Sequence, residues 1–424
     1  MLKQTTRQLT RVALGAFYGC LAGSVMAMDF VDAFAMAKGR DPQFQAARAE
    51  LSINQNQADV ARSTFFPSVN TSYTSSQSTV ALSRNTFSVT QPLLSAEKLA
   101  QYFQADPLKR FADATFATRE IDLAQRLFSA VSKLVLANEA MAANRMRIQN
   151  LEKQAERASR MYELGQGSVT DKRDVQVKYE LARSNQLTLQ INKRSAELQI
   201  ATLTGVLPGR DDFKLPDTHT VAALSSAKEI ADQAMYANPK LIAARSNEEV
   251  TKLEARRARA QLLPTLSASY TTSWGSTVEA YNTQTTGVVV NFPLDSSKVF
   301  GAMNASAVVA KASETRRDVE EQVLLQINQL YETVDTGRDA IRSKRSAIDA
   351  AELSVEANTK SAQAGFRSTV EVLNSIDMLY QTKNEYAQAT VTVGEALLNL
   401  LLASARPPAE AVAQTQAFLF AKMP

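Results

Sequence analysis

The chain has 424 residues, of which 14 are glycine, 12 proline, one histidine and one cysteine, and its formal charge at pH 7 is +4. Glycine and proline each make up about 3% of the chain, against roughly 7% and 5% in average proteins, so the composition favours long helices. The single histidine and cysteine exclude a zinc cluster, a disulfide framework and a cysteine–histidine catalytic pair, and we predict no metal site, cofactor or catalytic residue.

The N-terminal segment, residues 1–27, has the pattern of a secretory signal peptide. Three basic residues precede an uncharged, largely apolar stretch over 12–25, and Val25-Met26-Ala27 offers small or apolar residues at the cleavage positions. An amphipathic N-terminal helix is the alternative. Cleavage after Ala27 leaves 44 basic and 43 acidic residues, so the support for a nucleic-acid partner disappears. Cys20 lies in a poor lipoprotein motif, and we expect it to be removed with the signal peptide rather than lipidated.

The rest of the sequence consists of two copies of an internal repeat. Four landmarks recur at offsets of 197, 197, 201 and 200 positions. They are Arg40-Asp41-Pro42 with Ala237-Asn238-Pro239, Phe65-Phe66-Pro67-Ser68 with Leu262-Leu263-Pro264-Thr265, Gln91-Pro92-Leu93 with Phe292-Pro293-Leu294, and the turn 165–171 with the turn 365–371. We therefore predict two copies of one structural unit, at 28–205 and 226–405, with a linker over 206–225 and a tail over 406–424.

Each unit is predicted to contain a helix, two strands, a very long helix and a further helix. In the first unit the two strands are expected at about 67–92, the very long helix at about 97–163 and the further helix at about 170–205. In the second unit they are expected at about 265–293, 298–363 and 370–403. Few helix breakers fall within the long helices beyond Pro107, Gly301 and Gly337. At 1.5 Å per residue, each long helix would reach roughly 100 Å.

A seven-residue apolar repeat runs through both long helices. Its members are Leu127, Leu134, Met141, Ile148, Ala155 and Tyr162 in the first half and, 200 positions later, Ile327, Val334, Ile341, Ile348, Val355 and Ala362. The helix after the second turn continues the pattern at Leu379, Tyr386, Val393 and Leu400. Positions three residues further on are often small, as at Ala137 and Gly337, which allows close helix packing. Heptads predict left-handed coiled coils, although an ordinary coiled-coil spacer would explain them equally well.

Side chains of alternating polarity in the predicted strands indicate a membrane-spanning sheet. In the segment from Leu266 to Trp274, apolar or aromatic side chains alternate with small hydroxyl residues until Thr272, and Val288, Val290 and Phe292 share one face of the next strand. This pattern is typical of a membrane β-strand, although a soluble hairpin would look similar. Because the sequence beyond Ala27 has no apolar run long enough to form a membrane-spanning helix, any spanning part must be β.

The number of strands constrains the assembly. One chain offers four strands, whereas a membrane tolerates only closed barrels, and these start near eight strands. Two chains would supply eight strands and a barrel filled by side chains, and three chains would supply twelve and leave an opening. If the hairpins span a membrane, several copies must therefore assemble.

With these features the chain resembles the TolC family of outer-membrane channel-tunnel proteins. The resemblance rests on the paired halves, the segments 61–67 and 257–264 that lead into strands, Gln91-Pro92-Leu93, the glycine turns, and Leu203-Thr204-Gly205. It implies a mainly α fold with membrane β-strands: a homotrimer whose 12-stranded β-barrel, four strands per chain, continues into a coiled-coil α-barrel. The linker and the tail would belong to a mixed equatorial domain.

The same resemblance implies a function. The trimer would lie in outer-membrane lipid, extend into the periplasm, and conduct proteins of a type I secretion system or small molecules. Its partners would be a periplasmic adaptor (a membrane fusion protein) and an inner-membrane ABC or RND transporter.

The resemblance also suggests which residues narrow the pore. Two acidic positions that form rings in the family map onto Glu371 and Asn374, and the asparagine departs from the family pattern. Asp377 is a candidate to share the constriction. A ring of carboxylates binds cations and repels anions, whereas the alternative for Glu371 is a helix-capping role.

The glycine turns are the expected gate and docking points. Asp171 and Asp174 occupy the matching positions of the first turn. Arg367 is a candidate to tie helix ends together across chains, with a solvated surface arginine as the alternative. We expect the adaptor to dock at the turns around Gly165 and Gly365, because a periplasmic partner meets the helix tips first.

Other functions compete with type I secretion. A multidrug efflux channel working with an RND-type pump shares the same motifs, although the poor lipoprotein motif and the Gly165 turn favour the secretion branch. A periplasmic adaptor would carry a glycine-rich lipoyl-like domain and an inner-membrane anchor, and we identify neither in the sequence. A coiled-coil structural protein would lack the paired amphipathic hairpins that this sequence has. An enzyme is the least supported class, because His219 would have to work alone in a predicted linker.

Overall fold

The computed structural model describes residues 28–77, 81–209, 212–216, 225–276, 280–293 and 295–420. The predicted signal peptide with Cys20, and His219 in the linker, lie outside the described residues. Within the described ranges, the chain forms long helices and a single four-stranded antiparallel sheet. Both units have two short helices, a β-hairpin and two long helices in this order, and the first unit adds a 3-10 turn and a further short helix.

The first unit begins with α1 (Phe30–Arg40), α2 (Pro42–Arg62) and a short 3-10 turn (Ser63–Phe65), followed by β1 (Ser68–Gln77) and β2 (Ala81–Leu94). It continues with α3 (Ala96–Phe103), α4 (Ala105–Glu163) and α5 (Val169–Thr204). The second unit consists of α6 (Ala227–Ala237), α7 (Pro239–Ala260), β3 (Thr265–Ser276), β4 (Ala280–Asn291), α8 (Ser296–Gln363) and α9 (Thr369–Ala403). The tail contributes α10 (Pro408–Leu419).

The single opening helix predicted for each unit is in fact two helices. The chain turns at Asp41-Pro42 and again at Asn238-Pro239, and in both cases the proline is the first residue of the new helix, where its missing N–H is not needed. The residue before it is the N-cap. Asp41 accepts a hydrogen bond from the Phe44 amide at 3.0 Å, and Asn238 accepts one from the Lys240 amide at 2.9 Å.

The long helix predicted over 97–163 is interrupted at Gln104. Pro107 has no amide hydrogen to donate to the Phe103 carbonyl, and its ring crowds that carbonyl, so α3 ends and α4 begins at this point. The second unit has Ala307 at the equivalent position, and α8 continues unbroken for 68 residues, or roughly 100 Å.

The predicted heptads form the buried seams of the helices. Leu127 and Leu134 of α4, Ile327 and Val334 of α8, and Leu400 of α9 are all buried, whereas the terminal heptad position Tyr162 is exposed. Gly337 permits a close approach of α8 to α9, since a Cβ placed there would lie 2.3 Å from Cγ2 of Val393 on α9. The large and small residues of the seams therefore bring helix backbones together as the pattern predicts.

The four long helices do not share the same environment. In the order α5, α4, α9, α8, the inner pair α4 and α9 bury side chains along much of their length, while α8 buries little more than one stripe. That stripe consists of Ala305, Val323, Ile327, Val334, Ile341, Ile348 and Ala351. The outer helices α5 and α8 are therefore the two open flanks of the helical layer.

The sheet has the order β1-β2-β3-β4, and every pair is antiparallel. Val89 lies opposite both Val69 and Tyr270, so these side chains share one face. That face also carries Phe87, Trp274, Val288 and Val290, and the opposite face of β1 to β3 is mostly serine and threonine. Strands β1 and β4 are the edges of the sheet.

The main hydrophobic core lies where the ends of several helices meet. α1, α4, α9 and α10 enclose it, and the Phe30 ring packs edge-on against Phe128 with centroids 5.8 Å apart. A smaller core near the far end of the helices includes Leu151, Val175 and Ile376. Among the described helices, none is both long enough and apolar enough to cross a membrane.

Candidate functional site

Two tight turns join the long helices at their far ends, and both use glycine in the same way. Gly165 (φ +70°) follows α4 and Gly365 (φ +80°) follows α8, each with left-handed backbone that favours glycine. The next amide in each turn, Gln166 or Phe366, donates to a carbonyl five residues earlier, at 2.9 and 3.0 Å. This is the Schellman arrangement, so the helix ends are terminated by backbone geometry rather than by packing.

The second turn adds a side-chain cap. The Ser368 hydroxyl accepts a hydrogen bond from the Glu371 amide at 3.3 Å, and the Glu371 carboxylate accepts one from the Ser368 amide at 3.0 Å. This reciprocal capping box begins α9. The Arg367 guanidinium lies 2.5 Å from Oε1 of Glu371, so both predicted gate residues are engaged with each other within one chain.

These contacts keep Glu371 ionised. The hydrogen bond from the Ser368 amide, followed by the Arg367 guanidinium, lowers the pKa of the carboxyl below its ordinary value. The side chain is nevertheless 41% exposed, so the charge is available to solvent. The capping role and a charge at the helix tip therefore coexist in the same residue.

The first glycine turn has the same backbone conformation as the second but different side chains around it. The Ser168 hydroxyl accepts from the Thr170 amide at 3.1 Å, and Gly167 stands at the position that Arg367 occupies in the second turn. Asp171 is half-buried and Asp174 is exposed. Charge pairing at the tip is thus a property of the second unit.

Large apolar side chains are exposed at both tips. Leu164 is 70% exposed beside Gly165, and Phe366 is 85% exposed beside Gly365. Val169 and Val370, at the starts of α5 and α9, are also exposed. Each tip therefore presents exposed apolar groups beside its glycine turn.

The three predicted constriction residues do not share one surface. Asn374 is exposed one turn beyond Glu371, but Asp377 points between the helices of its own chain. Its carboxylate lies 2.6 Å from Nη2 of Arg147 on α4 and 2.8 Å from Nζ of Lys178 on α5. Since two cations of the same chain neutralise it, the structure does not bring Asp377 together with Glu371 and Asn374.

Asp377 instead belongs to a polar cluster that joins the two units. The Asn185 amide donates to the Tyr380 hydroxyl at 3.1 Å and contacts Asn144, while Arg147 lies 5.0 Å from the centre of the Tyr380 ring. Asn144 is fully buried and donates to the Ala182 carbonyl at 2.9 Å. The cluster ties α4 and α5 to α9.

The sequence contained one signal for this cluster. Asn144 lies three residues after the heptad position Met141, where most companion residues are small or apolar. A buried amide in a coiled-coil seam requires partners and commonly fixes the register of the helices. The identity of those partners depends on how the two units pack, which the sequence pattern does not contain.

Within the described part of the chain, there is no group of three or more histidine, cysteine, aspartate or glutamate residues that could hold a metal ion. The carboxylates of Glu371 at the second tip and Asp377 in the polar cluster form ion pairs with arginine and lysine. The chemistry of these sites is therefore that of helix ends, ion pairs and exposed apolar contacts.

Comparison with protein families gives a match to both units. The family model described as "Outer membrane efflux protein" matches residues 34–206 and 230–406. The gap between the two matched segments, residues 207–229, contains all but the first residue of the predicted linker. Each half of the chain therefore corresponds to a copy of the family's repeating unit.

Two secretion proteins and a solved channel structure are similar to the chain over most of its length. The alkaline protease secretion protein AprF of Pseudomonas aeruginosa is 26% identical over 413 residues, covering 91% of this chain and 86% of that protein. The proteases secretion protein PrtF of Dickeya chrysanthemi is also 26% identical, covering 89% and 88%. The outer membrane channel CmeC of Campylobacter jejuni superposes with a TM-score of 0.77 at 11% identity, covering 93% and 90%, which establishes a likeness in fold.

Proposed function

The chain belongs to the outer membrane efflux protein family, and we propose that it forms the outer-membrane channel of a type I protein secretion system. The observation that carries this proposal is the likeness to two proteins named for protease secretion, which extends over both repeats and about nine-tenths of the chain. Transport, rather than catalysis, is the activity we propose.

Unpaired edges support assembly into a closed ring. The edge strands β1 and β4 leave backbone hydrogen-bonding groups open, and the flanking helices α5 and α8 leave whole faces uncovered. The two flanks belong to different elements, so contact between copies is head-to-tail and closes only as a ring. We propose three copies, because twelve strands enclose an opening whereas eight are filled by side chains.

The two faces of the sheet support its orientation in the barrel. Phe87, Val89, Tyr270 and Trp274 lie on one face, which we propose contacts lipid. The serine and threonine face would line the water-filled interior. The helical layer, with its roughly 100 Å of α8, would extend from the barrel through the periplasm.

We propose that the second glycine turn carries the selective constriction. Three copies of Glu371 around one axis would bind cations, and Asn374 one turn further along would add polar but uncharged groups. Asp377 is left out of this constriction because its carboxylate lies between the helices of its own chain, in contact with Arg147 of α4 and Lys178 of α5.

We propose that both tips dock a periplasmic adaptor, which connects the channel to an inner-membrane ABC transporter. The exposed Leu164 and Phe366 offer apolar contacts, and the Schellman turns at Gly165 and Gly365 hold them at the ends of rigid helices. An adaptor whose own helical tip is apolar would cover these side chains.

Deleting the chain tests the proposed function. We expect one or a few proteins to disappear from the culture medium and to return when the wild-type chain is supplied. A Gly365→Ala variant should restore export poorly, because alanine is strained at φ +80°, whereas Gly365→Asn should restore more, because asparagine tolerates left-handed backbone. No atom lies within 4 Å of a Cβ at this position, so steric clash does not explain a difference between the two variants.

Small-molecule efflux with an RND-type pump is the second candidate, and the description of the family as efflux proteins favours it. In that case the deletion strain would become sensitive to drugs or detergents while its secreted proteins stayed unchanged. An unchanged secretome would therefore reject the secretion proposal and leave the channel assignment intact.

A further inference from the structure

The four strands carry a single charged side chain, that of Arg84. Strands β1 to β4, all of whose residues are described, otherwise consist of uncharged residues. Arg84 lies three positions after the start of β2, near the hairpin end of the sheet and far from the end where the helices attach. A charge is unfavourable on the lipid side of a membrane barrel, so the face on which Arg84 lies decides what it can do.

The strand register places Arg84 on the serine and threonine face. Arg84 lies opposite Gly275 of β3, and Gly275 lies opposite Tyr281 of β4, so these three residues form one row across the sheet. Two positions further along β2, on the same face, the Thr86 hydroxyl lies 3.3 Å from the Ser273 hydroxyl. In the proposed barrel this face lines the interior, and Arg84 is therefore a pore-lining residue.

The Arg84 side chain reaches across β3 to contact β4. Its Nε–H donates a hydrogen bond to the Tyr281 hydroxyl at 3.0 Å, and its Cζ lies 6.0 Å from the centre of the Tyr281 ring. The two residues are two strand spacings apart, or about 10 Å. Gly275 between them has no side chain to stand in the way, and a Cβ there would lie 1.9 Å from the Ser83 carbonyl oxygen.

Tyr281 is as exceptional for this face as Arg84 is. Among the described strand residues it is the one aromatic side chain on the serine and threonine face, whereas Phe87, Tyr270 and Trp274 lie on the other face. Its hydroxyl and ring hold the guanidinium from one side. Within the described residues this is the one hydrogen bond of Arg84, so its Nη1 and Nη2 groups remain for another ligand.

We propose that Arg84 from every copy forms a ring of guanidinium groups at the outer end of the barrel, and that this ring binds carboxylates. The inference rests on the proposed function, since a ring exists only if copies close a channel. A guanidinium presents two parallel N–H groups that match the two oxygens of a carboxylate. Rings of arginine attract anions in pores, as rings of carboxylates attract cations.

The ring gives the two ends of the channel opposite charges. The helices begin at the periplasmic end of the sheet, so the hairpin end with Arg84 opens to the outside, while Glu371 lies at the far tip of the helices. The field of the ring extends about 10 Å in 0.1 M salt and about 3 Å in 1 M salt. Binding of an anion at the exit therefore weakens as the salt concentration rises.

Single-channel current across a planar lipid bilayer tests the ring. When the purified channel is added to one side of the bilayer, its long helices stay on that side and the barrel opens to the other. The probe is citrate, whose three carboxylates suit a ring of three guanidinium groups. We expect citrate on the barrel side to reduce the current in 0.1 M salt, and to act much more weakly in 1 M salt or from the helix side.

Substitutions separate the charge of Arg84 from its position. Arg84→Gln removes the charge and should raise the citrate concentration for half-block at least fivefold. Arg84→Lys keeps the charge without the parallel N–H groups, and Tyr281→Phe removes the hydroxyl that accepts from Nε, so both should give smaller rises. The matched control is Arg256→Gln, which removes the same charge from an exposed position on α7 and should leave the block unchanged.

A peptide of ten glutamates distinguishes two sources of carboxylate. Block by the peptide at lower carboxylate concentrations than citrate would assign the ring to acidic segments of an exported polypeptide, and stronger block by citrate would assign it to small anions. Either result supports the ring only if Arg84→Gln weakens it.

A conducting channel that citrate does not block, or blocks equally in wild type and Arg84→Gln, would overturn the inference and leave the proposed function standing. Block that appears only in a Glu279→Gln variant would mean that this acidic residue, two positions before Tyr281, neutralises the ring, and would overturn the inference as well. A purified chain that forms no conducting channel would instead overturn the proposed function itself.

Discussion

The two units of this chain share the same arrangement of helices and strands and differ in helix continuity and side-chain chemistry. Residues 96–163 and 296–363 are equal in length and 200 positions apart, yet the first span is broken at Gln104 and the second is one helix. α4 lies in the middle of the helical layer, whereas α8 lies at its flank. The repeat therefore sets the geometry, while the place of each helix in the helical layer sets its side-chain chemistry.

The helix cap near the start of each unit shows the same divergence. Asp41 caps α2 and binds Arg126 of α4, with Nη2 2.6 Å from Oδ2. In the second unit Asn238 caps α7 instead and donates to the Ala403 carbonyl at 2.9 Å. The equivalent of Arg126 is Gln326, which is exposed. The cap is common to both units, and the charge pair is confined to the first.

Exchanging the helix breaker between the units should have the largest effect. Ala307→Pro would remove a backbone hydrogen bond from an exposed stretch of α8 and destabilise the protein by about 3 kcal/mol. Pro107→Ala is the matched change, and it should leave stability unchanged or raise it. The measurement is the thermal unfolding of the detergent-solubilised protein by circular dichroism. Equal melting temperatures for Ala307→Pro and the wild type would show that α8 does not need to be continuous.

Converting the charged pair to its neutral counterpart should have the next largest effect. Asp41→Asn leaves Arg126 without its counter-charge, and Arg126→Gln leaves a buried carboxylate unpaired, so each should lower the free energy of unfolding by about 2 kcal/mol. The double variant imitates the neutral residues of the second unit and should cost less than the sum of the two. Strict additivity in such a cycle would mean that the pair does not interact.

The close helix contact at Gly337 should give a smaller loss. Gly337→Ala places a methyl group against Val393 and should destabilise the α8–α9 pair by about 1–2 kcal/mol. The first unit already carries the buried Ala137 at the equivalent position, so Ala137→Gly is the matched opposite change. Adding Val393→Ala to Gly337→Ala should recover part of the loss. Chemical denaturation of each variant measures the differences.

Charge changes at the second turn should affect conduction more than stability. Glu371→Gln keeps an acceptor for the Ser368 amide and removes the charge, whereas Glu371→Ala removes both. If Glu371 forms a pore ring, both variants should weaken block of single-channel current by divalent cations, and Asn374→Asp should strengthen it. Unchanged block in Glu371→Gln would remove this residue from the pore and leave its capping role.

The pH dependence of that block follows from the lowered pKa of Glu371. A depressed pKa means that the carboxylate stays ionised at neutral and mildly acidic pH, and both its capping contribution and its charge are lost only as the pH falls through the lowered value. Block should therefore persist in mildly acidic solution and fade in stronger acid. Glu371→Gln should show no such titration.

Much of the fold was readable from the sequence because it depends on periodic patterns. The heptads through Leu127 and Ile327 and the alternation around Tyr270 correspond to the buried seams and the two-faced sheet. The family assignment was also confirmed. The helix boundaries were harder to predict, and the turns at Pro42 and Pro239 and the break before Pro107 were missed. A proline can begin, kink or end a helix depending on its neighbours, so its presence alone does not fix a boundary.

Only those features of the candidate site that depend on residues close together in the sequence could be predicted. The Ser368–Glu371 cap and the left-handed glycines depend on residues a few positions apart, and the sequence suggests both. The position of Asp377 was not accessible in this way. Its partners Arg147 and Lys178 lie in the other half of the sequence, on two different helices, so the packing of the units, not any spacing, decides which charges Asp377 meets.

We propose that this chain completes its structure only by closing a ring with other copies around a hollow axis. The most direct measurement is the mass of the detergent-purified mature protein, determined by native mass spectrometry. We expect three copies per particle. A monomer that stays folded and soluble in water without detergent would contradict it.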